Sequence, residues 1–326
     1  MLNIFYNPIY IKQKKVLLTK RFKHSIFSNY LIDFCYIFNL PINENFIQSG
    51  PHKRMNNLIK TFKEDKDACF NKLKFNCTYL VQFDEFGQDL VDKIIKLDNP
   101  NKRVLIGPLY NIEQDKKINQ LVKNYPYIKK LVASDIAFKN AKELDTGFIH
   151  ESTVVLPSGI DSEINIMKNL NIKNRNDKCL IYFKKRDRED LNLLISFLNY
   201  KNQEYELFEY GKYDNKKLKK IAKTSKFAII VSCSESQGFG IQEIMGQNIP
   251  LLVWDQTVNY FDNFKLSGTS VTVWDKLCGE KVNTFDELKD TYDYFLNNLE
   301  KYRPAEVVLD KLTYEVFNKN LKEVFS

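Results

Sequence analysis

Ser232-Cys-Ser-Glu-Ser-Gln-Gly-Phe-Gly-Ile-Gln-Glu-Ile-Met-Gly-Gln-Asn-Ile-Pro-Leu-Leu-Val-Trp-Asp255 is the stretch that decides the fold. An apolar, β-branched run, Phe227-Ala-Ile-Ile-Val231, leads into it, and a second run, Ile249-Pro-Leu-Leu-Val-Trp254, closes it. The order reads strand, glycine turn, short helix, strand. Gly238 and Gly240 flank Phe239. They let the backbone approach a ligand closely, and they open a helix whose first N–H groups lack intrahelical partners and favour an anion. Glu243 falls one turn into that helix and Glu235 in the loop before it. A diphosphate suits the helix end, and carboxylates on either side suit hydroxyl groups. That is the polarity order of a nucleotide sugar: ribose, two phosphates, sugar.

Working outward, the same alternation recurs. Phe46-Ile-Gln-Ser49 precedes a Gly50-Pro51 turn and a helical pattern from Met55 to Phe62. Cys77–Phe83, Arg103–Gly107 and Lys130–Ser134 read as strands, each followed by a helix, and Val154–Asp161 closes this half. The second half repeats it with Cys179–Phe183, a helix to Leu198, Tyr205–Tyr210, a lysine-rich helix, the opening segment and Val271–Trp274 as one more strand. Helices are expected near Phe285–Leu299 and Thr313–Phe325. Strands alternating with helices imply an α/β fold with parallel sheets covered on both faces. Two halves joined across the polar stretch 160–176 suggest two Rossmann-like domains, and ligands in such sheets bind outside the carboxyl ends of the strands. With two domains facing each other, the site becomes the cleft between them.

Size and composition agree. The chain has 326 residues, 44% hydrophobic, with a formal net charge of +8. That is comfortable for two domains with real cores. The basic surplus is spread through a lysine-, asparagine- and isoleucine-rich chain, with acidic residues mixed in, so no nucleic-acid partner is expected. The six cysteines, Cys35, Cys69, Cys77, Cys179, Cys233 and Cys278, show no paired or zinc spacing and read as reduced thiols of a cytoplasmic protein. The N-terminus has no signal-peptide pattern, and no run approaches the roughly 18–20 apolar residues of a transmembrane helix. Ile26–Phe38 is apolar at helical spacing behind Lys20, Arg21 and Lys23. It reads either as a buried core helix, the preferred reading, or as a peripheral membrane-surface helix.

The glutamate pair carries a resemblance. Glu235 and Glu243, seven residues between them, with glycines inside and an apolar Pro-containing strand after, resemble the donor-site signature of retaining GT-B glycosyltransferases, the large family 4 (group 1) set. This sequence departs from the common pattern in two places. Ser236 and Gln237 stand where many members pass straight from glutamate to glycine, and the usual proline after the glycines is missing. Leu156-Pro-Ser-Gly-Ile-Asp161 resembles the segment that ends the N-terminal domain in this group. The resemblance implies domains over 1–160 (acceptor side) and 161–305 (donor side), with 306–326 a helix packing back toward the N-terminal domain.

It also implies roles. Glu243 would bind the ribose hydroxyls, and Glu235 would contact and orient the donor sugar. The diphosphate would be held by amides near Gly238, Phe239 and Gly240 and by a basic pair in Tyr182-Phe-Lys-Lys-Arg-Asp-Arg188, with Lys184 and Arg186 the best matches and Lys185 and Arg188 competitors. Gly50 and His52 are candidates for the acceptor-side or phosphate loop. The implied reaction moves a sugar from a UDP- or GDP-linked donor to an acceptor hydroxyl on a glycan, glycolipid or glycoprotein, with retention. No cofactor and no metal are expected. Asp65-Lys-Asp67 formally fits the metal motif of a different glycosyltransferase fold, but it lies in a charged stretch, Lys63–Asp67. Three rivals stay open: an epimerase of the same fold, a non-catalytic nucleotide-sugar binding module, and a basic nucleic-acid-binding protein.

Overall fold

The structure is a computed structural model that describes residues 2–5, 68–70, 78–81, 85–99, 101–107, 112–144, 152–160, 175–211, 215–261 and 264–324. Gly50, His52, the 26–38 stretch and Asp65–Asp67 lie outside the described residues.

The first sheet is built from β1 Leu2–Phe5, β2 Ala68–Phe70, β3 Thr78–Val81, β4 Arg103–Ile106, β5 Ile128–Val132 and β6 Thr153–Val155. The order is β2-β1-β3-β4-β5-β6, parallel throughout. Tyr79, Leu80 and Val81 are consecutive and all buried, as are Val104, Leu105 and Ile106. A strand buried on both faces loses the alternation of a half-exposed one. Among the described residues the covering helices are α1 Glu85–Ile95, α2 Ile112–Asn124 and α3 Asp135–Glu143. Leu90, Val91 and Ile94 of α1 and Ile118 and Val122 of α2 fall at helical spacing and close over Tyr79, Val81, Val104 and Ile106. Lys102 fastens the end of α1, its Nζ donating to the carbonyls of Ile95 at 2.6 Å and Leu97 at 2.8 Å. A cation there satisfies orphan carbonyls and complements the helix dipole.

The second sheet holds β7 Asn176–Lys184, β8 Glu204–Glu209, β9 Ser225–Ser232, β10 Leu251–Trp254 and β13 Gly279–Val282, in the order β13-β10-β9-β7-β8, again all parallel. The helices here are α4 Arg188–Tyr200, α5 Asn215–Thr224, α6 Phe239–Gly246, α7 Phe285–Asn297, α8 Pro304–Lys311 and α9 Tyr314–Val324. Period-two alternation sorts the strands between two cores. Leu180, Tyr182, Ala228, Ile230, Leu251 and Val253 pack with α6 and α8, whereas Cys179, Ile181, Phe183, Ile229, Val231 and Leu252 pack with α4 and α7. The chain starts at β7, steps outward to β8, and returns past β7 to β9. Strand order therefore reverses between β7 and β9, and an open α/β sheet offers its ligand crevice at that reversal.

One strand expectation is corrected. Val271–Trp274 is not a strand, and the place beside β10 belongs to Gly279–Val282. The segment before Val271 is wrapped around a buried carboxylate. Asp255 accepts from the Ser270 N–H at 2.5 Å and from the Thr269 hydroxyl at 3.1 Å, and a backbone bound that way is not free to join a ladder. Between β10 and this wrap lies an unexpected antiparallel hairpin, β11 Val258–Phe261 with β12 Phe264–Ser267.

Gly279 explains why β13 lies so close. Its φ is +139°, and a Cβ there would stand 1.9 Å from the Leu251 carbonyl oxygen. The Gly279→Ala substitution is expected to cost about 3 kcal/mol, from backbone strain and overpacking together. Denaturant unfolding measures this. An unchanged midpoint would contradict the placement of β13.

Candidate functional site

β7 and β9 pair in register up to their carboxyl ends, with Lys184 opposite Ser232. The pairing runs one residue further, the Cys233 N–H donating to the Lys184 carbonyl at 2.8 Å. The end of β7 and the loop after β9 thus meet at the strand-order reversal. There Lys184 Nζ donates to Glu235 Oε2 at 2.7 Å, and Ser232 Oγ donates to Glu235 Oε1 at 2.9 Å. The Glu235 side chain is 6% exposed and that of Lys184 is 16%. The Lys184 ammonium also sits 4.6 Å from the centre of the Tyr210 ring. The Glu235 N–H donates to the Thr269 carbonyl at 2.9 Å. Both carboxylate oxygens and the backbone of Glu235 are therefore held, in a place with little water to weaken the charge pair.

The loop then turns into α6 through Gly238, whose φ of +78° is left-handed and disfavours any side chain. No side chain caps the helix start. Gly240 is a glycine for a different reason, since a Cβ there would stand 2.8 Å from the Tyr182 hydroxyl. Its bareness lets α6 press onto β7. The Phe239 side chain is buried in the apolar cluster below, so what it can offer a ligand is its backbone amide. Glu243 lies on α6 at intermediate exposure.

The basic residues after β7 divide. Lys184 is joined to Glu235. Arg186 turns elsewhere: Nε donates to Asp190 Oδ2 at 2.8 Å, one guanidinium NH donates to the Trp254 carbonyl at 3.1 Å, and the guanidinium lies 4.9 Å from the Trp254 ring centre. It brackets the start of α4 to the end of β10. Arg188 pairs with Glu209 at 2.6 Å. Lys185 is exposed on a turn with φ of +48°.

Sequence reasoning missed the residues that hold the charged pair. Ser232 ends β9, Tyr210 follows β8, and Asp255 follows β10. Each stands at the carboxyl end of a strand, a position that could have flagged them. Asp255 also meets Lys281 Nζ at 3.4 Å, and Ser270 Oγ donates to the Ser232 carbonyl at 2.7 Å, so the wrapped segment buttresses the Glu235 loop. Thiol chemistry has no support here. Burial, then the charge of Glu235, push the Cys233 thiol up, while burial takes Cys179 to about 12 and Cys278 to about 11. None of the three is a thiolate nucleophile at neutral pH.

The first sheet's side of the chain reaches this loop directly. Ser134 caps α3, accepting from the Ala137 N–H at 3.3 Å, and donates its own hydroxyl proton to the Ser236 carbonyl at 2.7 Å. Gln237 Nε2 donates to the Ser158 carbonyl at 2.7 Å. Asn140, also on α3, donates to the Ser267 carbonyl at 2.9 Å. The Ile160 N–H donates to the Leu312 carbonyl at 2.7 Å, just before α9.

No protein-family profile matches the chain, and no curated protein sequence is similar to it. Solved structures do match. The lipopolysaccharide outer core galactosyltransferase WaaB, in its apo form, superposes with a TM-score of 0.50 at 13% identity, covering 99% of this chain and 98% of its own. The chain has the GT-B fold. A TarM variant from S. aureus, in complex with fondaparinux, alpha-GlcNAc-glycerol and UDP, gives 0.48 at 13% identity, over 83% of this chain and 59% of its own. A GtfA/B complex gives 0.47 at 12%, over 86% and 61%. The chain spans about three fifths of those two proteins. Within the GT-B frame, the Lys184–Glu235 pair belongs to the second sheet, at its strand-order reversal, and Ser134 and Ser158 approach it from the first. No described helix is long and apolar enough to cross a membrane.

Proposed function

We propose that this GT-B chain is a retaining glycosyltransferase that moves a sugar from a UDP- or GDP-linked donor to an acceptor hydroxyl on a glycan, glycolipid or glycoprotein. The observation that carries the reading is the Lys184–Glu235 pair at the strand-order reversal, 2.7 Å across, next to the helix start that no side chain caps. A diphosphate at that helix end would meet the first amides of α6, at Phe239 and Gly240. An ammonium has three donors, so Lys184 can bond Glu235 and still reach a phosphate oxygen. Glu243, one turn along α6, would take the ribose hydroxyls.

Glu235 then orients the donor sugar. A carboxylate with both oxygens held by a lysine and a serine suits positioning better than attack, which favours a front-face displacement over a covalent intermediate. In that step the acceptor oxygen bonds to the anomeric carbon as the bond to the diphosphate breaks. The leaving phosphate takes the acceptor proton, and the new bond keeps the original face. Lys184 and the helix amides stabilise the departing charge where it develops. Chelator is expected to leave the rate unchanged, and peripheral membrane contact belongs to the acceptor side of the proposal. The deciding experiment is incubation with UDP- and GDP-sugars and candidate acceptors, with the product's anomeric configuration read by NMR. Retention is expected, and an inverted product would overturn the reading.

Glu243 supplies a second prediction. The Glu243→Ala substitution is expected to weaken donor binding about tenfold while leaving saturated turnover within twofold, as lost ground-state hydrogen bonds should. Donor titration by calorimetry checks it. Unchanged affinity would remove Glu243 from the site.

A further inference from the structure

The two residues that set this loop apart from the common glutamate-glycine pattern, Ser236 and Gln237, are the two that the first sheet's elements grip. The Ser236 carbonyl receives the Ser134 hydroxyl at 2.7 Å, and Gln237 Nε2 donates to the Ser158 carbonyl at 2.7 Å. Ser134, Ser158 and Gln237 are all buried, and the Gln237–Ser158 bond is shielded from water, while Ser236 itself is exposed. Gln237 is also locked on its own side. Its carbonyl accepts from Gln242 Nε2 at 2.9 Å and from the Thr272 hydroxyl at 2.6 Å. A pull on Gln237 is thereby passed to α6 and to the wrapped segment whose Thr269 holds the Glu235 N–H. Ser134 is the cap of α3, and that helix touches the second half again through Asn140. A separation of the two halves breaks the Ser134–Ser236, Gln237–Ser158 and Asn140–Ser267 hydrogen bonds together, the first two within two residues of Glu235.

We infer that Gln237 and Ser134 are positioning residues, through which the first half of the chain sets the Glu235 loop so that the glutamate is in place only when the halves are closed. The inference rests on the reading of the Lys184–Glu235 region as a nucleotide-sugar site. Neither residue touches the reacting atoms. Their effect is on the population of loops holding Glu235 in its paired geometry, and a shift in that population lowers turnover without removing a donor contact.

The test combines kinetics with hydrogen exchange on the full chain. For Gln237→Ala, turnover is expected to fall tenfold or more with the donor KM within twofold. Amides of 234–240 should exchange faster, while those of β7, β9 and β10 stay protected. Ser134→Ala should act in the same direction, and Ser134→Thr, which keeps the hydroxyl and the cap, should recover most of the activity. Unchanged turnover and unchanged exchange in Gln237→Ala would overturn the inference. So would a parallel loss of donor affinity and of protection across the whole second sheet, which marks a residue needed only for folding. If the wild-type chain binds no nucleotide sugar, the functional reading fails instead. The exchange comparison then still decides whether Gln237 and Ser134 hold the loop.

Discussion

Replacing Glu235 by Gln is expected to lower turnover by about 10²–10³ while donor affinity changes by less than about threefold, the magnitude seen when one preorganised electrostatic contact is removed from a transition state. The side chain keeps its volume, so the loop need not collapse. What changes is charge. Lys184 Nζ, 2.7 Å from Oε2, loses the carboxylate that fixes it, and an amide can no longer accept at both oxygens from Lys184 and Ser232. Either the amide NH2 faces the ammonium, or it faces the Ser232 hydroxyl. In the first case Lys184 loses its acceptor, and in the second it keeps only a neutral one. On the proposed reading either change would loosen the lysine at the donor phosphate and deprive the sugar of the charge that orients it. Steady-state kinetics with calorimetric donor titration separates the two effects. Turnover near that of the wild type would remove Glu235 from the chemistry.

The second large effect is on stability. Glu235 is 6% exposed, and Lys184 is the cation paired with it. The Lys184→Met substitution leaves that carboxylate in a poorly solvated place with only Ser232 as a side-chain partner, and breaking such a pair from one side costs about 3 kcal/mol. Removing the second charge as well should restore much of the loss, because a buried ion pair replaced on both sides by uncharged groups of similar volume is close to neutral. Lys184→Met should therefore unfold earlier in denaturant than the wild type, and Lys184→Met with Glu235→Gln should recover. Activity should be lost in both. If the double variant were less stable than the single one, the two residues would be acting independently and the ion pair would not be the feature that organises the loop.

Much of this was legible in the residues. Phe227–Val231 and Ile249–Trp254 are buried strands because apolar β-branched runs between turn residues have few other uses, and β9 and β10 lie there. The glycine turn and helix between them follow from Gly238, which alone in the loop has a left-handed φ. The failures have physical causes. Val271–Trp274 has strand composition, but the fate of that segment is set by the buried Asp255 carboxylate, a contact over fourteen or more residues that local pattern does not show. Gly279-Glu-Lys-Val282 has weak strand propensity and becomes an edge strand because its glycine admits the Leu251 carbonyl. Among the site residues, Arg186 and Lys184 look equivalent in sequence. They separate only when Asp190 and Trp254 capture the arginine. Ser236 and Gln237 look like a departure from a pattern, and their partners Ser134 and Ser158 lie far away in the chain.

The most direct test of the central claim is a binding titration of the wild-type chain with UDP, GDP and ADP and their common sugars, with and without magnesium, followed by thermal unfolding. Ligand that binds the folded state alone raises the midpoint by mass action. The expected result is a saturable rise with one nucleotide family, of equal size with chelator, and reduced in Glu243→Ala. No rise with any of them would contradict the assignment of the Lys184–Glu235 site to a nucleotide sugar.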